Sequence, residues 1–178
     1  KQRDSFNRKQ ILFEKATEAY IYAANSYPFL KYNPPSIKPS IFSYAGNYLG
    51  FQGYYNPFSG EGQVNTTIPR MLEPFVTAHE IAHQLGFAKE NEANFTAFLA
   101  CRSYPSNVFR YSLYFDMFNY AASELFRRDS VLARKYKEGL HSQAKKDYKE
   151  LSDFFKRNKN PVEPIITWMY GNYLHANN

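Results

Sequence analysis

The sequence is poor in the residues that build covalent or cysteine-based scaffolds. Its 178 residues include one cysteine, Cys101, which excludes an internal disulfide framework and a cysteine-only metal cluster. Long apolar runs are also missing, since no stretch approaches the roughly 18 residues that cross a bilayer. The chain begins at Lys1 without a signal-like apolar stretch. We therefore expect any targeting or anchoring segment of the protein to lie outside this sequence.

Aromatic residues, by contrast, are abundant. Sixteen Phe, sixteen Tyr and one Trp make up 19% of the chain, and 44% of its residues are hydrophobic. This composition excludes a disordered tail and is sufficient for a hydrophobic core, so we expect one domain over residues 1–178. The net charge of +6 is spread along the chain, and basic residues near the C-terminal end alternate with acidic ones. This mixture predicts a solvated helix face, and without a nucleic-acid motif we expect no nucleic-acid partner.

Helical periodicity dominates the pattern of apolar residues. It predicts helices over residues 5–27, 73–85, 89–102, 107–126 and 130–157, and a last short helix after Pro164 that carries Trp168 and Tyr173. Residues 33–69 differ, because proline and glycine alternate there with short β-prone pieces at 41–44 and 63–68. The sequence therefore predicts a predominantly α-helical α+β fold, with a small sheet beside the helix that starts near residue 73.

His79, Glu80 and His83 form the strongest functional signal, a His-Glu-x-x-His motif. On a helix, positions i and i+4 share one face, so both imidazoles can reach a single metal ion. Glu80 lies about 100° round the helix from His79, close enough to contact a water on that metal. This arrangement predicts a zinc site in which Glu80 is the general base of a hydrolase. The alternative is a buried helix whose histidines bond to nearby carbonyl groups.

A third protein ligand is required, and the acidic residues after Gly86 are the candidates. A glycine turn after His83 would let the next helix fold back beside the first. Glu90 and Asn94 share a face of that helix, so Glu90 can bind the metal while Asn94 supports a ligand histidine. Glu92 points about 160° away from Glu90, so both cannot serve. We favour Glu90 and keep Glu92 as the alternative. The two remaining histidines, His141 and His175, are distant in the sequence, and we expect surface positions for them.

The motif and the residues after it resemble the gluzincin branch of the zincin metallopeptidases. His79-Glu80-x-x-His83 followed by Glu90-x-Glu92-Ala93-Asn94 is similar to the corresponding elements of CAAX-type, HtpX-type and ImmA/IrrE-type proteins. The resemblance implies that Glu90 is the third zinc ligand and that Asn94 supports a ligand histidine. The spacing departs from the gluzincin pattern, since only six residues separate His83 from Glu90. At the third-ligand position of the metzincin spacing stands Lys89, which cannot bind a metal while it is charged.

More of the chain resembles an uncharacterised bacterial family of membrane-anchored proteins with this motif, a domain of unknown function. The similar runs are residues 53–61 and 74–101, Phe109-Arg110-Tyr111-Ser112, and the closing pair Tyr173-Leu174. The resemblance implies transmembrane helices N-terminal to this sequence. We therefore expect the full-length protein to be associated with a membrane, on a side that the sequence does not indicate.

Zincins also place a strand and an electrophilic group around the metal. The resemblance implies that residues 63–68 form an edge strand that pairs with an extended peptide, with Gln63, Val64 and Asn65 in contact with the substrate. An ordinary sheet strand is the alternative. We expect Tyr111 or Arg110 to face the oxyanion that forms when the carbonyl group is attacked. The alternative is that Tyr111 is a core residue and Arg110 a surface residue.

The sequence as a whole predicts a zinc-dependent hydrolase, and more specifically a peptidase with a peptide or protein substrate. A zinc-stabilised interaction or regulatory domain without turnover is the alternative from another functional class. Both would bind Zn²⁺, so zinc content alone does not distinguish them. A loss of turnover in Glu80→Gln would distinguish the hydrolase from the domain without turnover.

Overall fold

A computed structural model describes residues 9–159, in which seven α-helices accompany a three-stranded sheet. The helices are α1 (Lys9–Ala24), α2 (Ser43–Leu49), α3 (Glu73–Gln84), α4 (Glu90–Ser103), α5 (Asn107–Arg128), α6 (Ser130–Glu138) and α7 (Ser142–Asn158). The strands are β1 (Ile37–Pro39), β2 (Gly53–Asn56) and β3 (Glu61–Val64). The predicted fold class, α+β and predominantly helical, is confirmed.

Small side chains let three helices pack closely around the core. Ala19 and Ala23 of α1, Ala78 of α3 and Ala97 of α4 are completely buried. Close helix approach also brings a polar contact inside, because the buried hydroxyl of Tyr20 on α1 donates a hydrogen bond of 2.6 Å to the carbonyl of Ala78. This bond fixes the position of α1 against the middle of α3, one residue before the first motif histidine.

The sheet has the order β1-β3-β2, so β3 is its central strand. β1 runs parallel to β3 and β2 runs antiparallel to it. The predicted edge strand is therefore wrong. Gln63 and Val64 are paired on both sides, because β1 provides a second neighbour. Asn65 follows the end of the strand, where its buried side chain donates a 2.8 Å hydrogen bond to Asn47. Among the described strands, β2 has the free edge nearer the motif helix.

Two further predictions about elements are corrected by the structure. Residues 41–44 form a turn and the start of α2, not a strand. The helix predicted over 130–157 is interrupted between Glu138 and Ser142, since Gly139 ends α6 and the side chain of His141 caps α7. His141 does so by accepting a 3.2 Å hydrogen bond from the backbone N–H of Gln143.

Some expectations fall outside the described range of residues 9–159. They are the start of the first predicted helix, the short helix after Pro164 with Trp168 and Tyr173, and the position of His175. Within the described range, no helix combines the length and apolar character needed to cross a membrane.

Candidate metal centre

Helix α3 carries the His-Glu-x-x-His motif and is held by other elements at both ends. At its start, the N–H of Phe75 donates to the hydroxyl oxygen of Ser112 on α5 at 3.0 Å, and that hydroxyl donates to the carbonyl of Leu72 at 3.3 Å. At its end, the side-chain amide of Gln84 donates to the carbonyl of Gly60 at 2.6 Å. These contacts replace a local N-cap side chain and tie the helix to the hairpin of β2 and β3.

A glycine turn ends α3 and reverses the chain into α4. Gly86 has a φ of +100°, in the left-handed region that favours glycine. Its N–H donates to the carbonyl of His83 at 3.0 Å, and the N–H of Phe87 donates to the carbonyl of Ala82 at 3.2 Å. This pair of bonds is a Schellman motif, which satisfies the last carbonyls of the helix. Four residues after Gly86, α4 begins at Glu90 and packs against α3.

The turn brings the Glu90 carboxylate onto the two motif histidines. Glu90 Oε2 lies 3.2 Å from His79 Nε2, and Glu90 Oε1 lies 3.5 Å from His83 Nε2. One ligand atom from each of the three residues can be chosen so that all lie within 4.8 Å of one another. The imidazole rings are 4.6 Å apart between centroids and almost perpendicular. Glu92, the alternative ligand, lies outside this cluster and pairs with Lys89 at 3.7 Å.

These distances and this donor set fit a zinc ion. With bonds of about 2.1 Å and tetrahedral angles, ligand atoms are separated by about 3.4 Å. The distance from His79 Nε2 to Glu90 Oε2 and the distance from His83 Nε2 to Glu90 Oε1 are both near this value. Two imidazoles and one carboxylate are a ligand set of catalytic zinc sites, which keep a further position open. The Glu90 side chain is 78% exposed, so the cluster is accessible from solvent.

Hydrogen bonds and burial prepare both histidines to act as ligands. His83 Nδ1 lies 2.8 Å from the carbonyl oxygen of Phe87, so this nitrogen carries the proton and Nε2 keeps its lone pair. The His79 side chain is hydrogen-bonded to Asn94. Burial, reinforced by the neighbouring His83, lowers the pKa of His79 below its ordinary value, which favours the neutral form that binds metals. Asn94 therefore lies beside His79, and its role as the support of a ligand histidine stays a prediction.

Glu80 is a buried carboxylate that the protein leaves partly without partners. Only 4% of the residue is exposed, and Glu80 Oε2 has no hydrogen-bond partner among the described residues. Burial, together with the charge of Glu90, raises the pKa of Glu80 to about 8. A bound cation beside this carboxylate would lower that pKa again and favour its ionised form.

Strand β2 passes close to Glu80 at Gly53, where an added Cβ atom would overlap the Glu80 side chain. A Cβ atom at Gly53 would lie 2.3 Å from Glu80 Oε1 and 2.5 Å from its Cγ. The backbone of β2 therefore covers one side of the carboxylate, and Glu80 is one of the residues that line a cavity. The sequence did not indicate a special role for Gly53, because Gly53 is one of several glycines in a proline- and glycine-rich stretch.

The cavity has a volume of about 760 Å³. It is lined by the candidate metal ligands His79, His83 and Glu90, by Glu80, and by β2 and the residues just before that strand. Its lining residues are Gly50, Phe51, Gln52, Gly53, Tyr54, Tyr55, Phe75, Val76, His79, Glu80, His83, Gly86, Ala88, Glu90, Asn94 and Asp116. Asp116 on α5 was not singled out by the sequence, where it is one of many charged residues on a helix. The predicted edge residues Gln63, Val64 and Asn65 do not line the cavity.

Tyr111 and Arg110, the residues expected at the oxyanion, are not brought to the cavity. The hydroxyl of Tyr111 donates a 2.5 Å hydrogen bond to the buried Asp147 of α7. Arg110 is exposed on α5. Neither residue is among those that line the cavity. The tyrosines that do line it, Tyr54 and Tyr55, come from β2.

Comparison with known proteins places the chain in a family without assigning it an activity. The family described as "Protein of unknown function (DUF3810)" matches residues 1–178, and the chain belongs to this family. No match was found among curated proteins or among solved structures.

Proposed function

We propose that this protein is a zinc-dependent hydrolase, and more specifically a peptidase, in which Glu80 is the general base. The observation that carries the proposal is the burial of the Glu80 carboxylate with Oε2 left without a hydrogen-bond partner among the described residues. A carboxylate with an oxygen that is buried and unpartnered is costly for a fold, so its presence needs a reason. A role beside a cation and a reacting water provides that reason. The resemblance of the motif to gluzincins supports the same assignment.

The residues that would hold the ion are His79, His83 and Glu90, each of which offers a ligand atom within 4.8 Å of those of the other two. When bound, Zn²⁺ lowers the pKa of water and polarises a carbonyl group. Glu80 would accept the proton of the attacking water and then donate it to the departing amine. The absence of a side chain at Gly53 leaves room for the carboxylate in its present position, because an added Cβ would lie 2.3 Å from Glu80 Oε1.

The decisive experiment compares the wild type with Glu80→Gln. A glutamine amide cannot accept a proton, so we expect Glu80→Gln to retain zinc but to cleave peptides about 10²–10⁴-fold more slowly. The metal-free variant should melt close to the wild type, because burial raises the pKa of Glu80 to about 8 and glutamine has nearly the shape of the neutral carboxyl group. The measurements are a digest of an unbiased peptide library, the zinc content and the melting temperature.

Glu92→Gln provides a matched control, since it is the same chemical change at a carboxylate outside the metal cluster. It should leave both cleavage and zinc content unchanged. Equal cleavage by the wild type and Glu80→Gln would refute Glu80 as the base. Full zinc loading without cleavage by any of the three proteins would favour a zinc-stabilised interaction domain.

A further inference from the structure

The cavity beside the candidate metal ligands carries three acidic side chains, and His79 and His83 are its basic ones among the described residues. Three carboxylates line it, those of Glu80, Glu90 and Asp116, whereas no Lys or Arg does so within residues 9–159. The molecule as a whole has the opposite balance, with 22 Lys and Arg against 16 Asp and Glu. A concave site lined by one sign of charge concentrates ligands of the other sign. The cavity therefore favours cationic groups.

Asp116 is the carboxylate of this set that has no part in the metal cluster. The ligand atoms that lie within 4.8 Å of one another belong to His79, His83 and Glu90, and Asp116 is not among these residues. Asp116 lies on α5 four residues after Ser112, the residue that binds the start of α3. One helical turn separates the two, so they share a face of α5. A rigid helix thus holds the Asp116 carboxylate at the cavity, away from the ligand atoms.

Within the described part of the chain, Asp116 forms no hydrogen bond or ion pair of its own. The residue is only partly accessible, and burial raises the pKa of its carboxyl group above the ordinary value. Burial is the cause of this shift, and no neighbouring cation opposes it. A carboxylate that is partly desolvated without a counter-ion is destabilised, and a cation brought by a ligand would relieve this.

The wall contributed by β2 and the loop before it is aromatic and uncharged. Phe51, Tyr54 and Tyr55 line the cavity there, and the rings of Phe51 and Tyr54 pack edge to face with centroids 5.8 Å apart. The surrounding residues 40–60 contain no Asp, Glu, Lys, Arg or His. Aromatic faces attract ammonium and guanidinium groups and also pack against their aliphatic stems. The cavity thus combines an acidic group with surfaces that tolerate a long cationic side chain.

Building on the proposed peptidase function, we propose that Asp116 determines substrate specificity by binding a cationic group of the peptide. The group is either the side chain of a Lys or Arg residue or a free α-amino group, since both present N–H donors with a positive charge. Asp116 would accept hydrogen bonds from this group and pair with its charge, while Glu80 and the metal ligands remain available for the reaction.

Binding of short peptides to the metal-free protein tests this proposal without requiring turnover. The probes are peptides of Ala, Ser and Gly that carry one Lys at a varied position, and the same peptides with norleucine in its place. Each is made with a free and with an acetylated N-terminus. We expect the wild type to bind the better cationic probe about tenfold more tightly than its neutral counterpart, as one partly buried ion pair allows. Asp116→Asn should bind both equally.

Two further variants show whether a loss of preference comes from the charge at this position. Asp116→Glu keeps the charge and should retain most of the preference, while Glu92→Gln removes an acidic group outside the cavity and should retain all of it. Melting temperatures show that each variant is folded, and Asp116→Asn should not be destabilised because it loses an uncompensated carboxylate.

The two sources of the cation are separated by the probes. Loss of preference on replacement of Lys by norleucine identifies a side-chain site, and loss on acetylation identifies an amino-terminal site. Equal binding of all probes by the wild type, or a preference that survives in Asp116→Asn, would overturn the proposal. Failure of the peptidase function would appear elsewhere, as equal cleavage by the wild type and Glu80→Gln, and would leave these binding constants unchanged.

Discussion

Glu90 and Glu92 lie two positions apart on α4, yet their side chains have different surroundings. Glu90 faces His79 and His83, whereas Glu92 pairs with Lys89 on the outside of the helix. A separation of two residues turns a side chain through about 200° on an α-helix, so one helix cannot present both carboxylates to the same ion. The choice between them is therefore a property of single residues that metal binding can measure.

We predict that Glu90→Ala weakens zinc binding far more than Glu92→Ala. Changes to residues that only support a ligand cost 10–100-fold in affinity, so removal of a ligand should cost more than about 100-fold. The wild type should take up one zinc per chain at neutral pH, and His79→Ala should abolish uptake. Competition with a chromogenic chelator gives the affinities. The assignment fails if Glu92→Ala releases the metal and Glu90→Ala does not.

At this scale the sequence predicted what depends on local geometry. The relation of His79 to His83 follows from the helical repeat, and the choice of Glu90 follows from the glycine turn and the short distance along the chain. Tyr111 was not predictable in the same way, because its hydroxyl bonds to Asp147, which is 36 residues away on another helix. No pattern in the sequence near Tyr111 indicates that its hydroxyl will bind the buried Asp147 instead of facing the cavity.

Strand β2 and helix α3 form the contact between elements on which Glu80 depends. Gly53 lies over the Glu80 carboxylate with no space for a Cβ atom. On β3, a Cβ atom added to Gly62 would lie 3.2 Å from the backbone carbonyl oxygen of Glu80. The sheet therefore packs on α3 through glycines at the level of the proposed base. The backbone of β2 at Gly53 contacts the Glu80 side chain directly. Any side chain at position 53 therefore requires the carboxylate or β2 to move.

We predict that Gly53→Ala displaces Glu80 and lowers peptide cleavage while zinc binding persists. The added methyl group would overlap Glu80 Oε1 at 2.3 Å, so the carboxylate must rotate or β2 must move. A displacement of about 1 Å at a catalytic group costs on the order of 10²-fold in rate. Gly139→Ala is the matched control, since a Cβ there meets its neighbours at ordinary distances. Unchanged cleavage by Gly53→Ala would show that the approach of β2 is not needed for catalysis.

The elements themselves were largely predictable, but their pairing was not. Helices α3, α4 and α5 begin within a residue of the predicted positions, because proline, glycine and helical periodicity mark their ends. The order of the sheet depends on β1, a three-residue strand that ends at Pro39 and gives little signal in the sequence. Without β1, β3 would have one free edge, as the sequence predicts for residues 63–68. Its parallel pairing with Ile37–Pro39 makes it central.

The stability of the whole molecule should depend on pH through Glu73, in the first turn of α3. Burial raises the pKa of Glu73 to about 7, although Arg70 and Lys9 act in the opposite direction. Since the pKa in the folded state exceeds the ordinary value of 4.5, the folded state binds a proton more tightly than the unfolded state. The resulting stabilisation is complete below pH 4.5 and is lost as the pH rises through about 7.

We predict that Glu73→Gln removes this part of the pH dependence. The free energy of unfolding of the variant should match that of the wild type near pH 4.5 and exceed it by about 1–3 kcal/mol above pH 7. Urea unfolding between these pH values measures the difference, and Glu150→Gln, at an exposed position, should show none of it. A constant difference between wild type and Glu73→Gln at every pH would contradict the prediction.

The candidate metal cluster is contained in twelve consecutive residues, from His79 to Glu90, whereas the walls of its cavity come from distant parts of the chain. β2 and the loop before it provide the aromatic wall, and α5 provides Asp116. Selection can therefore act on the two parts separately. Under the proposed function, mutations at positions 51, 54, 55 and 116 would change which peptides are accepted without altering His79, His83 or Glu90. Divergence among members of the family should accordingly be greater at these four positions than within the segment from His79 to Glu90.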